Sequence, residues 1–218
     1  MADGKIPEEF TLGEPVLVCR WRLANRSLPA ANRHLRALGR RNVNGARPTK
    51  QLLGWAKQHI EWTLAEGTVE HPDGVLMLAI DAEGRAAMTA GDYTPLADVT
   101  LAGLVRRARA AEREADETDV APEVLWVARD GRLVCGIPAG QQASGATSLV
   151  LDLAASLGIP VELDASLARA VEAGTARFDE AFLVSDEHGV VAASDASGSV
   201  AERFAAGFER LREQAGKR

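Results

Sequence analysis

The chain has 218 residues, enough to bury a sizeable core in one domain or in two small packed ones. Charged residues make up 26% and hydrophobic ones 46%, a globular rather than disordered balance, and a net charge of −6 lacks the basic field that non-specific nucleic-acid binding needs. No apolar run approaches the length of a membrane span, and Met1–Phe10 has no apolar signal-peptide core, so a cytoplasmic protein is expected.

The two cysteines, Cys19 and Cys135, lie far apart and are expected as free thiols. The four histidines (His34, His59, His71, His188) are isolated, with no clustered Cys/His spacing, so no metal site is expected.

Glu14–Leu23 reads as a strand, with β-branched residues after Pro15. Ser27 and Pro29 open a helix that runs through Leu38, and Asn42–Pro48 is a loop by its Asn, Gly and Pro content. Thr49 caps a helix to Glu66 whose stripe is Leu53, Ala56, Ile60 and Leu64; Trp55, His59 and Trp62 fall on a neighbouring face, and Gly67 stops it. A hairpin follows, from Val75 to Ile80 and from Arg85 to Thr89. The stretch from Thr94 to Asp98 marks a boundary between a domain of residues 1–95 and one of 96–218.

Leu104, Val105, Ala108, Ala111 and Ala115 mark the next helix. Glu123–Val127 and Arg132–Cys135 are strands about an Arg129-Asp130-Gly131 turn. Gly136–Ser144 is polar loop. The next helix carries Leu149, Leu153 and Leu157 at i, i+4, i+8 and ends at Gly158. Ile159–Leu163 is a short strand, and Asp164 caps a helix with Leu167 and Val171. Ala181–Ser185 and Val190–Ser194 form a hairpin with His188 at its tip, and the final helix carries Val200, Phe204, Phe208 and Leu211. The pattern is α+β.

From Ser144 to Gly198 the chain reads SGATSLVLDLAASLGIPVELDASLARAVEAGTARFDEAFLVSDEHGVVAASDASG. This segment resembles the C-terminal half of class IV (fold type IV) pyridoxal-phosphate-dependent aminotransferases, the superfamily of branched-chain aminotransferases and aminodeoxychorismate lyases. The resemblance implies a two-domain α+β fold, with a small N-terminal domain and a larger, β-rich C-terminal one, a homodimer, and a place in amino-acid metabolism.

In that family a Gly-Ile-Thr-Arg element opens a helix whose N–H groups hold the cofactor phosphate. Gly145, Ala146, Thr147 and Ser148 occupy that place and are candidate anion-binding residues; an ordinary capped helix is the competing reading. The family's following strand leads to a threonine near the phosphate. Phe178–Leu183 matches the strand, but the threonine position falls on Asp186, whose carboxylate would repel a phosphate. The first half resembles the family more weakly. His34-Leu35-Arg36-Ala37-Leu38 stands where His-Leu-x-Arg-Leu carries a phosphate-pairing arginine. Arg36 is displaced by one residue, about 100° around a helix. Arg36 is kept as a candidate anion ligand with Arg33 and Arg40 as substitutes, beside the reading that all three form a solvated face.

The family's Schiff-base lysine would fall near Thr100 or Leu101, yet no lysine occurs from Gln58 to Gly216. Only four of the 25 basic residues are lysine, and an arginine bias explains scarce surface lysines. It does not explain a missing catalytic one, because arginine stays protonated and forms no Schiff base. The glutamate that pairs with the cofactor's ring nitrogen has Cys135 in its place in one register and a shortened loop in the other; in either, no acidic residue occurs between Gly131 and Leu151.

The expectation is therefore a class IV aminotransferase-like protein without the cofactor, which binds a small ligand in the old cleft or serves as a non-catalytic homologue. A cofactor-independent enzyme is a second reading, with Cys135, Asp186, His188 and Thr147 as candidate groups. A true aminotransferase or lyase with its lysine relocated to Lys50 or Lys57 is a third.

Overall fold

The computed structural model describes residues 11–67 and 70–215; the Met1–Phe10 segment, Lys5 and Lys217 lie outside them. The fold is α+β, with one sheet of three strands and one of five.

The smaller sheet runs β1 (Pro15–Arg22), β2 (Val75–Asp81), β3 (Ala86–Gly91), antiparallel throughout. Strand β1 alternates because one face is buried: Leu17, Cys19 and Trp21 point inward, while Val16, Val18 and Arg20 are exposed. Two helices cover the inner face, α1 (Ala31–Leu38) and α2 (Lys50–Trp62). The first begins four residues later than Ser27, because the chain first makes a bridge between Ala24 and Ser27 and then a left-handed residue at Ala30 (φ 56°). Thr49 caps α2, its hydroxyl accepting from Leu52 N at 3.1 Å, and Ala56 and Ile60 are buried on the expected stripe. That helix gives way at Thr63–Gly67 to a π-helical turn. Trp55, His59 and Trp62 stack in sequence along α2, with Trp62 exposed.

Helix α3 (Leu101–Thr118) buries Leu104, Val105, Ala108, Ala111 and Ala115, the expected stripe. The larger sheet has the order β6 (Val161–Leu163), β5 (Arg132–Cys135), β4 (Glu123–Arg129), β7 (Glu180–Ser185), β8 (Gly189–Ala192); only β5 and β6 are parallel. It is buried on both faces. Val124, Trp126, Leu133, Cys135, Phe182 and Val184 face one core with α4 (Gly145–Ser156) and α6 (Ser199–Ala215). Leu125, Val127, Val134, Ala181 and Leu183 face another with the start of α3 and α5 (Leu167–Glu172).

Two expectations need correction here. On α4 the buried stripe is Ala146, Val150 and Ala154 rather than Leu149, Leu153 and Leu157, which are half-buried. The helix packs against a face carrying Trp126 and Phe182, so small residues meet the core and the leucines turn toward the groove beside α6. Asp164 does not cap α5 directly; its carboxylate accepts from Ser166 N and Oγ in the preceding turn.

Strand β7 anchors helices at both of its ends. Glu180 accepts from Val200 N (3.2 Å) and Ala201 N (2.8 Å), closing the start of α6, and Asp186 does the same for α4. Phe182 lies between them, fully buried and stacked against Trp126 and Phe204 with ring centroids 6.0 Å apart in each pair. Phe182→Ala is expected to cost about 3–5 kcal/mol of unfolding free energy, measured by urea titration.

Candidate functional site

The two sheets meet where β1, α1, α3, α4 and the β7–β8 turn converge. The start of α4 has the form of an anion site: Ser144 caps it, its Oγ accepting from Thr147 N at 3.2 Å and its carbonyl from Ser148 N at 2.9 Å. The next N–H, on Ala146, donates at 2.7 Å to Oδ1 of Asp186, a side chain that is 6% exposed. The anion at this helix terminus is thus the chain's own carboxylate.

Three groups hold that charge. Burial pushes the Asp186 carboxyl up, but His34, the Ala146 N–H and Arg41 together outweigh it and keep the group below the usual carboxylate range. His34 Nδ1 lies 3.7 Å from Asp186 Oδ2, an electrostatic contact rather than a hydrogen bond. The His34 ring is tilted against Trp21 at 5.4 Å and packs onto Gly145, where a Cβ would come within 2.4 Å of Nδ1. Gly145 is therefore needed for close approach. The backbone ties the turn down as well, since Arg22 N donates to Asp186 O and Asp186 N to Pro122 O.

Arg41 is 2% exposed and donates from Nη1 to Glu114 Oε1 (2.8 Å) and Thr118 Oγ1 (3.0 Å). Sequence reasoning missed it: one arginine among many after α1 carries no local mark of burial. Beside it the Cys19 thiol is pushed up to about 11, burial being the main cause and Arg41 opposing it.

A cavity of about 260 Å³ opens between β1 and α3, lined by Val18, Arg20, Arg107, Glu114, Glu123 and Glu187, with Asp186 at its side. Its charges are matched within the protein. Arg20 forks onto Glu187 (2.7 and 3.0 Å) and Arg107 onto Glu123 (2.8 and 2.8 Å). Ser185 Oγ donates to Glu123 and accepts from Glu187 N and His188 N.

His188 was expected at an exposed hairpin tip, but its side chain is only 4% exposed. Arg107 Nη2 lies 3.3 Å from Nε2 and can only donate, so Nε2 accepts and the proton sits on Nδ1, which faces Tyr93 Oη at 3.3 Å. Burial lowers the His188 pKa, with Glu187 and Glu123 opposing and Arg107 and Arg20 assisting.

A second cavity, of about 250 Å³, lies on the far side of Asp186 between α1, α4 and α6. Arg22, Arg33 and Arg212 edge it, and Leu149, Phe208 and Leu211 form its apolar wall.

Asp186 and the Gly145–Ser148 turn come together, as does Arg33, which donates to Ser148 Oγ (3.3 Å) and Asp152 Oδ2 (2.7 Å). Arg36 is exposed on α1, and Arg40 turns to Gln142. Cys135 is fully buried in the core with Trp126 and Phe182, where burial pushes its thiol far up, and it is not among the ring contacts of His188. Thr100, near the family's lysine position, caps α3 through Gly103 N and binds Asp98. Lys50 and Lys57 are exposed on α2.

No family model matches the chain, and no curated protein does. Solved structures do. The chain is similar to 4-amino-4-deoxychorismate lyase from Pseudomonas aeruginosa (TM-score 0.61, 15% identity, 97% of this chain and 98% of that one). It is similar to a hypothetical aminotransferase from Mycobacterium tuberculosis in its PLP-bound form (0.64, 13%, 96% and 96%). A putative branched-chain amino acid aminotransferase from Thermotoga maritima gives 0.60, 15%, 97% and 92%. The chain has the class IV aminotransferase fold from end to end.

Two pH-dependent outcomes follow. Asp186 has a depressed pKa, so its contribution is present above the unfolded value of about 3.9 and is lost as pH falls through the folded value. Asp186→Asn is expected to lower stability at neutral pH by roughly 3 kcal/mol and to lose this acid-limb step. His188 also has a lowered pKa, so the folded state disfavours its proton. Stability is expected to fall as pH drops below about 6.5, in urea titrations across pH, and His188→Gln to remove that step.

Proposed function

We propose that this chain is a class IV aminotransferase-fold protein that does not perform pyridoxal-phosphate chemistry and instead holds a small ligand near the old cleft without turning it over. The observation that carries this reading is the Asp186 carboxylate on the Ala146 N–H, at the helix start where the family resemblance would put a phosphate. A phosphate brought to the start of α4 would meet a buried negative charge at hydrogen-bond distance from the same donor.

Other features support the reading. The His34 ring fills the space against Gly145. The residues near the expected lysine position form a helix cap, and the lysines of the described chain are exposed on α2. When bound to a lysine, pyridoxal phosphate supplies an electron sink for carbanion chemistry; the described residues offer no lysine amine in the cleft, and Cys135 is no carboxylate. These residues do not fit the group. The ion pairs of the larger cleft also satisfy its charged side chains internally, and the neutral His188 has its acceptor nitrogen occupied by Arg107.

The test is direct. The purified chain is incubated with pyridoxal phosphate, treated with borohydride, and followed by visible absorbance and intact mass. No chromophore and no reduced adduct are expected. A stoichiometric adduct mapped to Lys50 or Lys57, with transamination of any amino acid, would overturn the reading.

A further inference from the structure

The cavity between α1, α4 and α6 has features that nothing above uses. The Arg22 guanidinium carbon lies over the Tyr93 ring, 3.3 Å from its centroid, a cation–π contact that holds the side chain in place. Its Nη1 is buried and has no hydrogen-bond partner among the described residues. That atom is packed away from the cavity, but the half-buried Arg22 side chain lines the cavity wall with no carboxylate paired to it among the described residues, so an anion there would meet an uncompensated charge. Arg212, from the last helix, converges on the same cavity, and its charge adds to burial in pushing the Arg22 pKa down. Among the described residues Arg212 pairs with Glu209, one turn earlier and half-exposed, a surface ion pair weak enough to be shared. Arg33 is committed to Ser148 and Asp152.

The rest of the wall sets the ligand's other properties. Leu149, Phe208 and Leu211 present an apolar surface, so the occupant needs a hydrocarbon part. Asp186 lines the inner end, so a second negative charge on the ligand would face a carboxylate. A cation would face the arginines, and a neutral polar molecule would leave Arg22 uncompensated.

We propose that this cavity binds a small amphipathic monocarboxylate, its carboxylate held between Arg22 and Arg212 and its hydrocarbon part against Leu149, Phe208 and Leu211. The proposal rests on the ligand-holding role given above and names the class of ligand.

The experiment titrates the full chain with hexanoate, hexanamide, hexylamine and phenyl phosphate, following melting temperature and heat of binding. Hexanoate is expected to bind and raise the melting temperature, with hexanamide and hexylamine at least about tenfold weaker and phenyl phosphate no tighter than hexanoate. Arg22→Gln and Arg212→Gln are each expected to weaken hexanoate about tenfold or more, and Leu149→Trp, which fills the cavity, to abolish it. Arg212 sits on the terminal helix, so its variant tests the site even if Arg22→Gln fails to fold. Absence of hexanoate binding, equal binding of hexanamide, tighter phenyl phosphate, or unchanged affinity in both Arg212→Gln and Leu149→Trp overturns the proposal. The pyridoxal-phosphate adduct assay reads separately. An adduct with hexanoate binding intact overturns the functional reading alone, and no adduct with no hexanoate binding overturns this inference alone.

Discussion

Moving a carboxylate out of water costs several kcal/mol unless other groups replace the hydration. At Asp186 that replacement comes from three directions: the first turn of α4, His34 on α1, and Arg41 beyond it. Each contributor belongs to a different element, so the carboxylate can be buried only if those elements are already in place. The constraint runs the other way too. The start of α4 needs an acceptor for Ala146 N, and His34 needs the absent Cβ of Gly145. The β7–β8 turn and the two helices are therefore joined through one carboxylate, and the backbone bond from Arg22 N to Asp186 O ties β1 to the same point.

The cleft beside it is wired in the same manner. Arg20 with Glu187, Arg107 with Glu123, and Arg41 with Glu114 each consume a charge that could otherwise meet a ligand. Forked arginine–carboxylate pairs supply rigidity and register more than net stability. A pocket built this way holds its shape but has few free donors or acceptors. The arginines around the opposite cavity contrast with it, because Arg22 there rests on Tyr93 with no carboxylate paired to it among the described residues.

Much of this was legible in the residues. Alternation in β1, the alanine-rich stripe of α3 and the Gly-Ala-Thr-Ser turn all placed their elements, because local periodicity and capping follow directly from side-chain chemistry. Asp186 stood out in the sequence as an acidic residue, and the structure seats it on the Ala146 N–H. What stayed hidden depends on contacts distant in sequence. Arg41 is buried only because α3 brings Glu114 and Thr118 to it, 73 and 77 residues away. His188 looked like a hairpin tip, and it is covered because Tyr93 and Arg107 close over the turn. The leucine row of α4 misled because large apolar residues are usually the core. Here Trp126 and Phe182 already fill much of that volume, and the smaller Ala146, Val150 and Ala154 pack against them.

The crowding at Gly145 has a consequence for how this chain could change. His34, Gly145, Asp186 and Arg41 act as an interlocked set, so their substitutions cannot be judged one at a time. Replacing Asp186 by an apolar residue would leave the Ala146 N–H without its acceptor and remove the carboxylate that His34 faces. Enlarging Gly145 would displace His34 from its place against Trp21. Inserting a lysine at the start of α3 would add a cation beside a helix N-terminus that already has its cap. Either of the first two changes is expected to lower stability before any new contact could compensate. The centre of this region is thus frozen against change one residue at a time, while its exposed side is free to vary.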